Sequence, residues 1–310
     1  MPEMSLDDQV AIVTGSGQGL GAAYARELAG RGAAVVVNDI PGTDRAAGVV
    51  SSIEGGGGTA FASYNDVATR AGGGALVDDA VRQFGRVDIL VNNAGIIRPA
   101  LFEDLTDDDI DSNINVHLKS MFYVTQPAYD VMRERGYGRI VNISSNNSFG
   151  VEGMINYCAA KAGVLGLTNG LALEAIRHGV LVNSVMPNAT TEMAVEATAA
   201  RPVPRIEENK RFLDAYGAVT QYLEPGRASA LVAYLASPAC NVTGEIFSQV
   251  GPRYSRVFFG VSEGWMSAKD GPPSAEDLGE RFDDIRATDQ FTVPTSVTDD
   301  FVAAASRLGE

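Results

Sequence analysis

Tyr157 and Lys161 stand four positions apart in the run Asn156-Tyr157-Cys158-Ala159-Ala160-Lys161, at the head of a stretch rich in Ala, Gly and Leu. On a helix, positions i and i+4 share a face, so this spacing sets an ammonium beside a phenol. At ~4 Å and an effective dielectric of about 20, one unit charge is worth roughly 4 kcal/mol, or about 3 pKa units. That would bring a phenol from about 10 towards 7 and make it a usable base. Upstream, Ser144 and Ser145 close the strand-like run "GRIVNISS". Either hydroxyl could bond only to local backbone, or one could face the tyrosine. Because the pleat fixes residue direction while loops absorb deletions, the strand points to Ser145.

A second cluster lies near the N-terminus. Val10-Ala11-Ile12-Val13 reads as a buried strand, followed by Thr14-Gly15-Ser16-Gly17-Gln18-Gly19-Leu20-Gly21 and a helical stretch from Ala22 to Arg31. The glycines do not form G-x-G-x-x-G; Gly15, Gly19 and Gly21 fit G-x-x-x-G-x-G, with Gly17 extra. A turn at Gly15, close backbone approach at Gly19 and Gly21, and a helix N-terminus still suit a pyrophosphate. The competing reading is a glycine turn that binds nothing. Asp39 ends the next strand, where a carboxylate can accept both adenosine ribose hydroxyls and repel a 2′-phosphate, which favours NAD over NADP. An acidic residue after a strand can equally be a solvated loop aspartate.

The elements that must hold these clusters repeat along the chain. Apolar strands at Ala34–Val37, Ile89–Val91, Ile140–Ile143, Val180–Val185 and Gly244–Phe247 alternate with helical stretches, among them Asp107–Arg135 and Tyr157–Arg177. Continuous β-branched strands separated by helices predict an α/β doubly wound parallel sheet, Rossmann-like. Gly55 to Gly58 reads as a loop. The division expected is one domain over 1–250 and a C-terminal helical extension over 251–310, with helices at Ala275–Ile285, capped by Ser274, and Val297–Leu308. The extension carries no catalytic motif and is expected to pack on the core or on a partner subunit.

Composition narrows the partners. The 310 residues carry a formal charge of −15, which argues against nucleic acid or an anionic membrane as the main partner. The start of the chain is acidic where a secretory signal would be basic and then apolar, and no window is apolar enough to span a bilayer. A cytoplasmic location is therefore expected. Cys158 and Cys240 have no zinc-like spacing and are too few for a disulfide framework, so no metal is expected.

The motifs "TGSGQGLG", "NDI", "YNDV", "NNAG", "GRIVNISS" and "NYCAAK", in this order, resemble the short-chain dehydrogenase/reductase superfamily from Val10 to about Val250. The resemblance implies an NAD-dependent oxidoreductase in which Tyr157 exchanges a proton with the substrate oxygen, Ser145 holds that oxygen and Lys161 holds the nicotinamide ribose. It implies cofactor contacts at Gly15, Gln18, Gly19, Leu20, Gly21, Asp39, Asp66, Val67, Asn93, Ala94, Gly95, Pro187, Asn188 and Thr190, besides Tyr157 and Lys161. His117 stands where the family usually has an asparagine of the catalytic machinery, so a role through its main-chain carbonyl and one through its ring both stay open. "VVVND", "VHL", "YGRI" and Pro187-Asn188 are similar to the (3R)-hydroxyacyl-CoA dehydrogenase unit of peroxisomal multifunctional enzyme type 2 and its bacterial single-domain relatives. That subgroup implies an acyl-CoA substrate and a homodimer or homotetramer built on Asp107–Arg135 and Tyr157–Arg177. Arg201, Arg205, Lys210 and Arg211 would meet the CoA phosphates or belong to an ordinary solvated helix. The alternatives are a dehydrogenase of a free alcohol, sugar or hydroxysteroid, and, more remotely, a non-catalytic NAD-sensing Rossmann protein.

Overall fold

The computed structural model describes residues 4–193, 195–196, 214–268 and 271–309. Its first strands and helices alternate as β1 (Val10–Val13), α1 (Gly19–Gly30), β2 (Ala34–Asn38), α2 (Arg45–Gly55), β3 (Thr59–Ser63), α3 (Arg70–Phe84) and β4 (Ile89–Asn92). The chain continues through α4 (Asp107–Ile114), α5 (Ser120–Arg135), β5 (Gly138–Ile143), α6 (Ile155–Ala175) and β6 (Val180–Asn188). A helix at Pro225–Ala236 precedes β7 (Ile246–Val250) and β8 (Arg253–Val257).

The eight strands form one sheet in the order β3-β2-β1-β4-β5-β6-β7-β8. β1 to β7 pair in parallel throughout. β8 follows β7 after only Gly251 and Pro252, a connection short enough for an antiparallel neighbour alone. The pleat sends alternate side chains to opposite faces, and two cores result. Val35, Val37, Val91 and Val141 pack with Leu28 of α1, Val49 of α2 and Val232. Ile12, Val36, Leu90 and Ile140 pack with Leu76 of α3, Val124 of α5 and Ala172 of α6. Strands buried on both faces explain the unbroken β-branched runs.

The strand order reverses between β1 and β4, so the crevice beyond their carboxyl ends opens between the Gly15 and Asn93 loops. Among the described residues, no helix is long and apolar enough to cross a membrane.

Several boundaries depart from the sequence reading. The predicted helix over Asp107–Arg135 is interrupted by a π-helical segment, Asn115–Lys119. Gly55 closes α2 rather than lying in a loop, and an unanticipated strand, β3, follows it. The sheet runs beyond residue 250, because β8 adds its eighth strand; of the two compact units, one ends at Arg256 and the other begins at Val257. The second unit pairs the short strands Val261–Ser262 and Phe291–Thr292 antiparallel. Its expected helix over Ala275–Ile285 is two helices, Ala275–Glu280 and Phe282–Arg286, broken at Arg281 just past the weak helix former Gly279. Ser274 does cap the first of them, in a reciprocal box with Asp277.

Candidate active site

Tyr157 and Lys161 lie in the first turns of α6, whose face is fixed from below by buried polar groups. Asn92 and Asn142 are register partners on β4 and β5. Asn92 Nδ2 donates to Asn142 Oδ1 and to Thr125 Oγ1 of α5, both at 2.9 Å, and Asn142 Nδ2 donates to Thr168 Oγ1 of α6 at 3.0 Å. A satisfied buried network of this kind allows one seating of the helix on the sheet.

Lys161 is 3% exposed and donates from Nζ to the Ile143 carbonyl at 2.6 Å. Its Nζ lies 5.8 Å from the centre of the Tyr157 ring. The ammonium is therefore beside the phenol, as the spacing predicts, but the electrostatic outcome differs. Burial pushes the Tyr157 hydroxyl up to about 12, against a lowering hydrogen bond from Ser145, and burial pulls Lys161 down to about 7. The expectation of a phenol near 7 is not met, because desolvation raises the phenol by more than the hydrogen bond with Ser145 lowers it.

The two serines point to opposite sides. Ser144 is 2% exposed; its amide still bonds the Val185 carbonyl, and its Oγ donates to the Lys161 carbonyl at 2.8 Å and meets Ser148 Oγ at 3.2 Å. Ser145 Oγ accepts from the Asn147 amide at 3.1 Å and hydrogen-bonds Tyr157. Ser144 thus staples β5 to α6, and Ser145 faces the phenol. Accordingly, Ser145→Ala should cut turnover by about 10²-fold or more. Ser144→Ala should leave turnover within a few-fold and cost about 1 kcal/mol of stability. Steady-state kinetics and thermal melts on both variants check this, and the opposite ranking would assign the catalytic hydroxyl to Ser144.

His117 sits in the π-helical segment, a helix distortion common at functional sites. The imidazole is 1% exposed, with Nε2 2.6 Å from the Ile96 carbonyl oxygen and 3.1 Å from the Ile96 amide nitrogen. Its ring meets the Tyr157 ring edge-on at 4.9 Å. Burial, then the charge of Lys161, holds its pKa well below the ordinary histidine value, against a raising bond to the Ile96 backbone. The ring is neutral at neutral pH. It clamps the loop after β4 from beneath, which is why Gly95 is required: a Cβ there would come within 2.5 Å of His117 Cε1.

On the other side of the crevice, Asn93 joins the two loops. Its Nδ2 donates to the Thr14 and Gly15 carbonyls at 2.9 and 3.0 Å, while the Asn93 and Ala94 amides both donate to Thr14 Oγ1 at 2.9 Å. Gly15 has φ +60°, and a Cβ there would strike Ala94 Cα at 2.7 Å. α1 then begins with Gln18 at its cap, making no side-chain capping bond, with Gly19 and Leu20 next and no acidic residue in the first turn. Those first amides and the positive helix end suit a pyrophosphate. Asp39 is 8% exposed; Oδ1 accepts from the Ile40 amide at 2.8 Å, while Oδ2 lies 3.0 Å from Arg45 Nε without a well-directed hydrogen bond. A buried carboxylate oxygen short of a good donor fits a ribose hydroxyl. Further round, Asp66 Oδ1 accepts from the Ala68 amide at 3.0 Å, and Val67 is buried. Asn188 is tied to Gln249 from the end of β6, Pro187 precedes it, and the Thr190 amide donates to Leu223. These residues fit an adenine dinucleotide. Arg201, Arg205, Lys210 and Arg211 lie outside the described residues.

Sequence reasoning missed three supports. Thr14 was legible only as part of a glycine motif, and Asn142 only as a strand member. Arg45, six positions past Asp39, carries no motif at all, yet its NH1 donates to Gln18 Oε1 at 2.9 Å.

Residues 9–202 match the short chain dehydrogenase model, and the chain belongs to that family. It is 39% identical over 251 residues to peroxisomal multifunctional enzyme type 2 of Drosophila melanogaster, a match covering 78% of this chain but 39% of that protein. It is 36% identical over 266 residues to the hydroxyacyl-CoA dehydrogenase ChsB1 of Mycobacterium tuberculosis, covering 81% of this chain and 80% of that one. The crystal structure of a short chain dehydrogenase from Mycobacterium avium is similar at a TM-score of 0.76 and 34% identity, covering 91% of this chain and 95% of that one. Dehydrogenases of this fold use nicotinamide dinucleotides, and the crevice between the two loops is where such a cofactor belongs.

Proposed function

We propose that the protein interconverts a (3R)-3-hydroxyacyl-CoA and its 3-oxoacyl-CoA with NAD as the cofactor. The observation that carries the chemistry is the convergence of Ser145, Tyr157 and Lys161 beside the Asn93–Gly95 loop. The bound nicotinamide supplies the hydride acceptor or donor. Ser145 and Tyr157 together hold the substrate oxygen, and Tyr157 takes its proton on oxidation or returns it on reduction. Lys161 exchanges a proton with that phenol and orients the nicotinamide ribose. His117 acts as a positioning residue through its ring, holding the Gly95–Ile96 backbone in register with Tyr157.

The choice of NAD rests on the carboxylate of Asp39, which accepts ribose hydroxyls and opposes a 2′-phosphate. The choice of an acyl-CoA rests on the activity named for ChsB1 and on the resemblance carried by Pro187-Asn188 and "VHL". Self-association is part of the same reading: Gly166 and Gly170 of α6 open onto free space beside the exposed Phe122 of α5, where a second copy's helices can approach closely.

The test is NADH formation by the purified protein with a (3R)-3-hydroxyacyl-CoA, the corresponding free acid and a plain secondary alcohol. The CoA ester should be the far better substrate, with KM rising as salt screens its phosphates. Equal activity on the alcohol, with no salt effect, would move the assignment to a dehydrogenase of free alcohols.

A further inference from the structure

We propose that Arg45 is a second determinant of cofactor choice: a guanidinium suited to a ribose 2′-phosphate, which Asp39 keeps occupied. This rests on the dinucleotide reading of the crevice. Three residues from separate elements meet at one point. A Cβ on Gly17 would come within 2.1 Å of Asp39 Oδ2 and 2.8 Å of Arg45 Cβ, so glycine loop, β2 end and α2 start converge there. The Arg45 fork is divided between its neighbours, NH1 donating to Gln18 Oε1 at 2.9 Å, NH2 to Asp39 Oδ1 at 3.4 Å, and Nε lying 3.0 Å from Asp39 Oδ2. It spans the gap between the pyrophosphate loop and the carboxylate that an adenosine ribose would face.

The charges decide what the arrangement selects. With Asp39 present the pair is neutral, and an incoming phosphate meets a nearly buried carboxylate that it cannot displace without cost. With that charge removed, Gln18 still orients the guanidinium, and a planar fork with free donors matches a phosphate better than it matches hydroxyls. The Arg45 side chain is 39% exposed against 9% for Asp39, so the arginine can swing to a ligand while the carboxylate stays fixed. Read only as a surface ion pair, the contact would contribute little and select nothing.

Calorimetric titration of the cofactor-free protein with 5′-ADP and 2′,5′-ADP separates these readings without relying on turnover. The unmodified protein should bind 5′-ADP in preference. Asp39→Asn should tighten 2′,5′-ADP binding by roughly 10- to 100-fold, as expected for one or two charge-assisted hydrogen bonds. Asp39→Asn combined with Arg45→Met should lose that gain while 5′-ADP affinity stays near that of the single variant. An equal gain with and without Arg45, or no gain from Asp39→Asn, would overturn the role of Arg45 and leave the dinucleotide site intact. Failure of the unmodified protein to bind 5′-ADP would instead overturn the dinucleotide reading, and this inference with it.

Discussion

Tyr157→Phe should lower turnover by roughly 10²–10⁴-fold, the usual worth of a positioned acid–base group, with little change in dinucleotide affinity. The substitution is clean because it removes one oxygen. The phenylalanine ring can keep the edge-on contact with His117, 4.9 Å away in the unmodified protein, so the loop clamp persists. What is lost is the hydroxyl that meets Ser145 and, in the proposed mechanism, would share the substrate oxygen with it. Stopped assays under saturating substrate and cofactor, together with a dinucleotide titration, measure both quantities. Near-normal turnover would remove Tyr157 from the chemistry.

Lys161→Met should also cut turnover by at least about 10²-fold, and it should change stability with a distinctive dependence on pH. The methionine keeps most of the stem but cannot supply a proton or bond the Ile143 carbonyl. In the folded protein burial draws the ammonium down to about 7 from its ordinary 10.5. Between those values the unfolded chain binds more protons than the folded one, so this group makes stability rise with pH across the window and opposes folding fully below it. The methionine variant lacks that penalty. Its stability relative to the unmodified protein should therefore improve as pH falls from about 10.5 to about 7 and then level off. Denaturant melts across this range check the sign; a difference independent of pH would mean that Lys161 titrates normally.

The sheet was legible because its central strands are buried on both faces and so are written in unbroken Val and Ile. β3 was not, because Thr59–Ser63 is an edge strand, mostly half-buried, and its Thr-Ala-Phe-Ala-Ser sequence lacks that signature. The site was legible where chemistry demands a residue type at a fixed spacing: the Tyr157–Lys161 pair, the Gly15–Gly21 loop and the strand register that separates Ser145 from Ser144. The π-helical turn at Asn115–Lys119 was not, since helical periodicity hardly distinguishes one inserted residue. Neither were the directions of the Tyr157 and Lys161 shifts, because desolvation depends on what encloses the pair and not on the four positions between them. Arg45 escaped for a similar reason, as only the folded loop brings it to Gln18 and Asp39.

The most direct test of the account is the pH dependence of kcat/KM for alcohol oxidation, compared with Lys161→Met. Tyr157 is held near 12 and Lys161 near 7, with Lys161 Nζ 5.8 Å from the centre of the Tyr157 ring, and we propose that the two work as one acid–base pair. Once it has lost one proton, phenol with neutral amine and phenolate with ammonium are two forms of the same state, and the second is the base that oxidation needs. The account predicts a rise of about tenfold per pH unit up to about 7 and a plateau above it, with the methionine variant still climbing at alkaline pH. A continued tenfold rise per unit well beyond neutrality in the unmodified protein, the behaviour of a lone buried phenol, would contradict it.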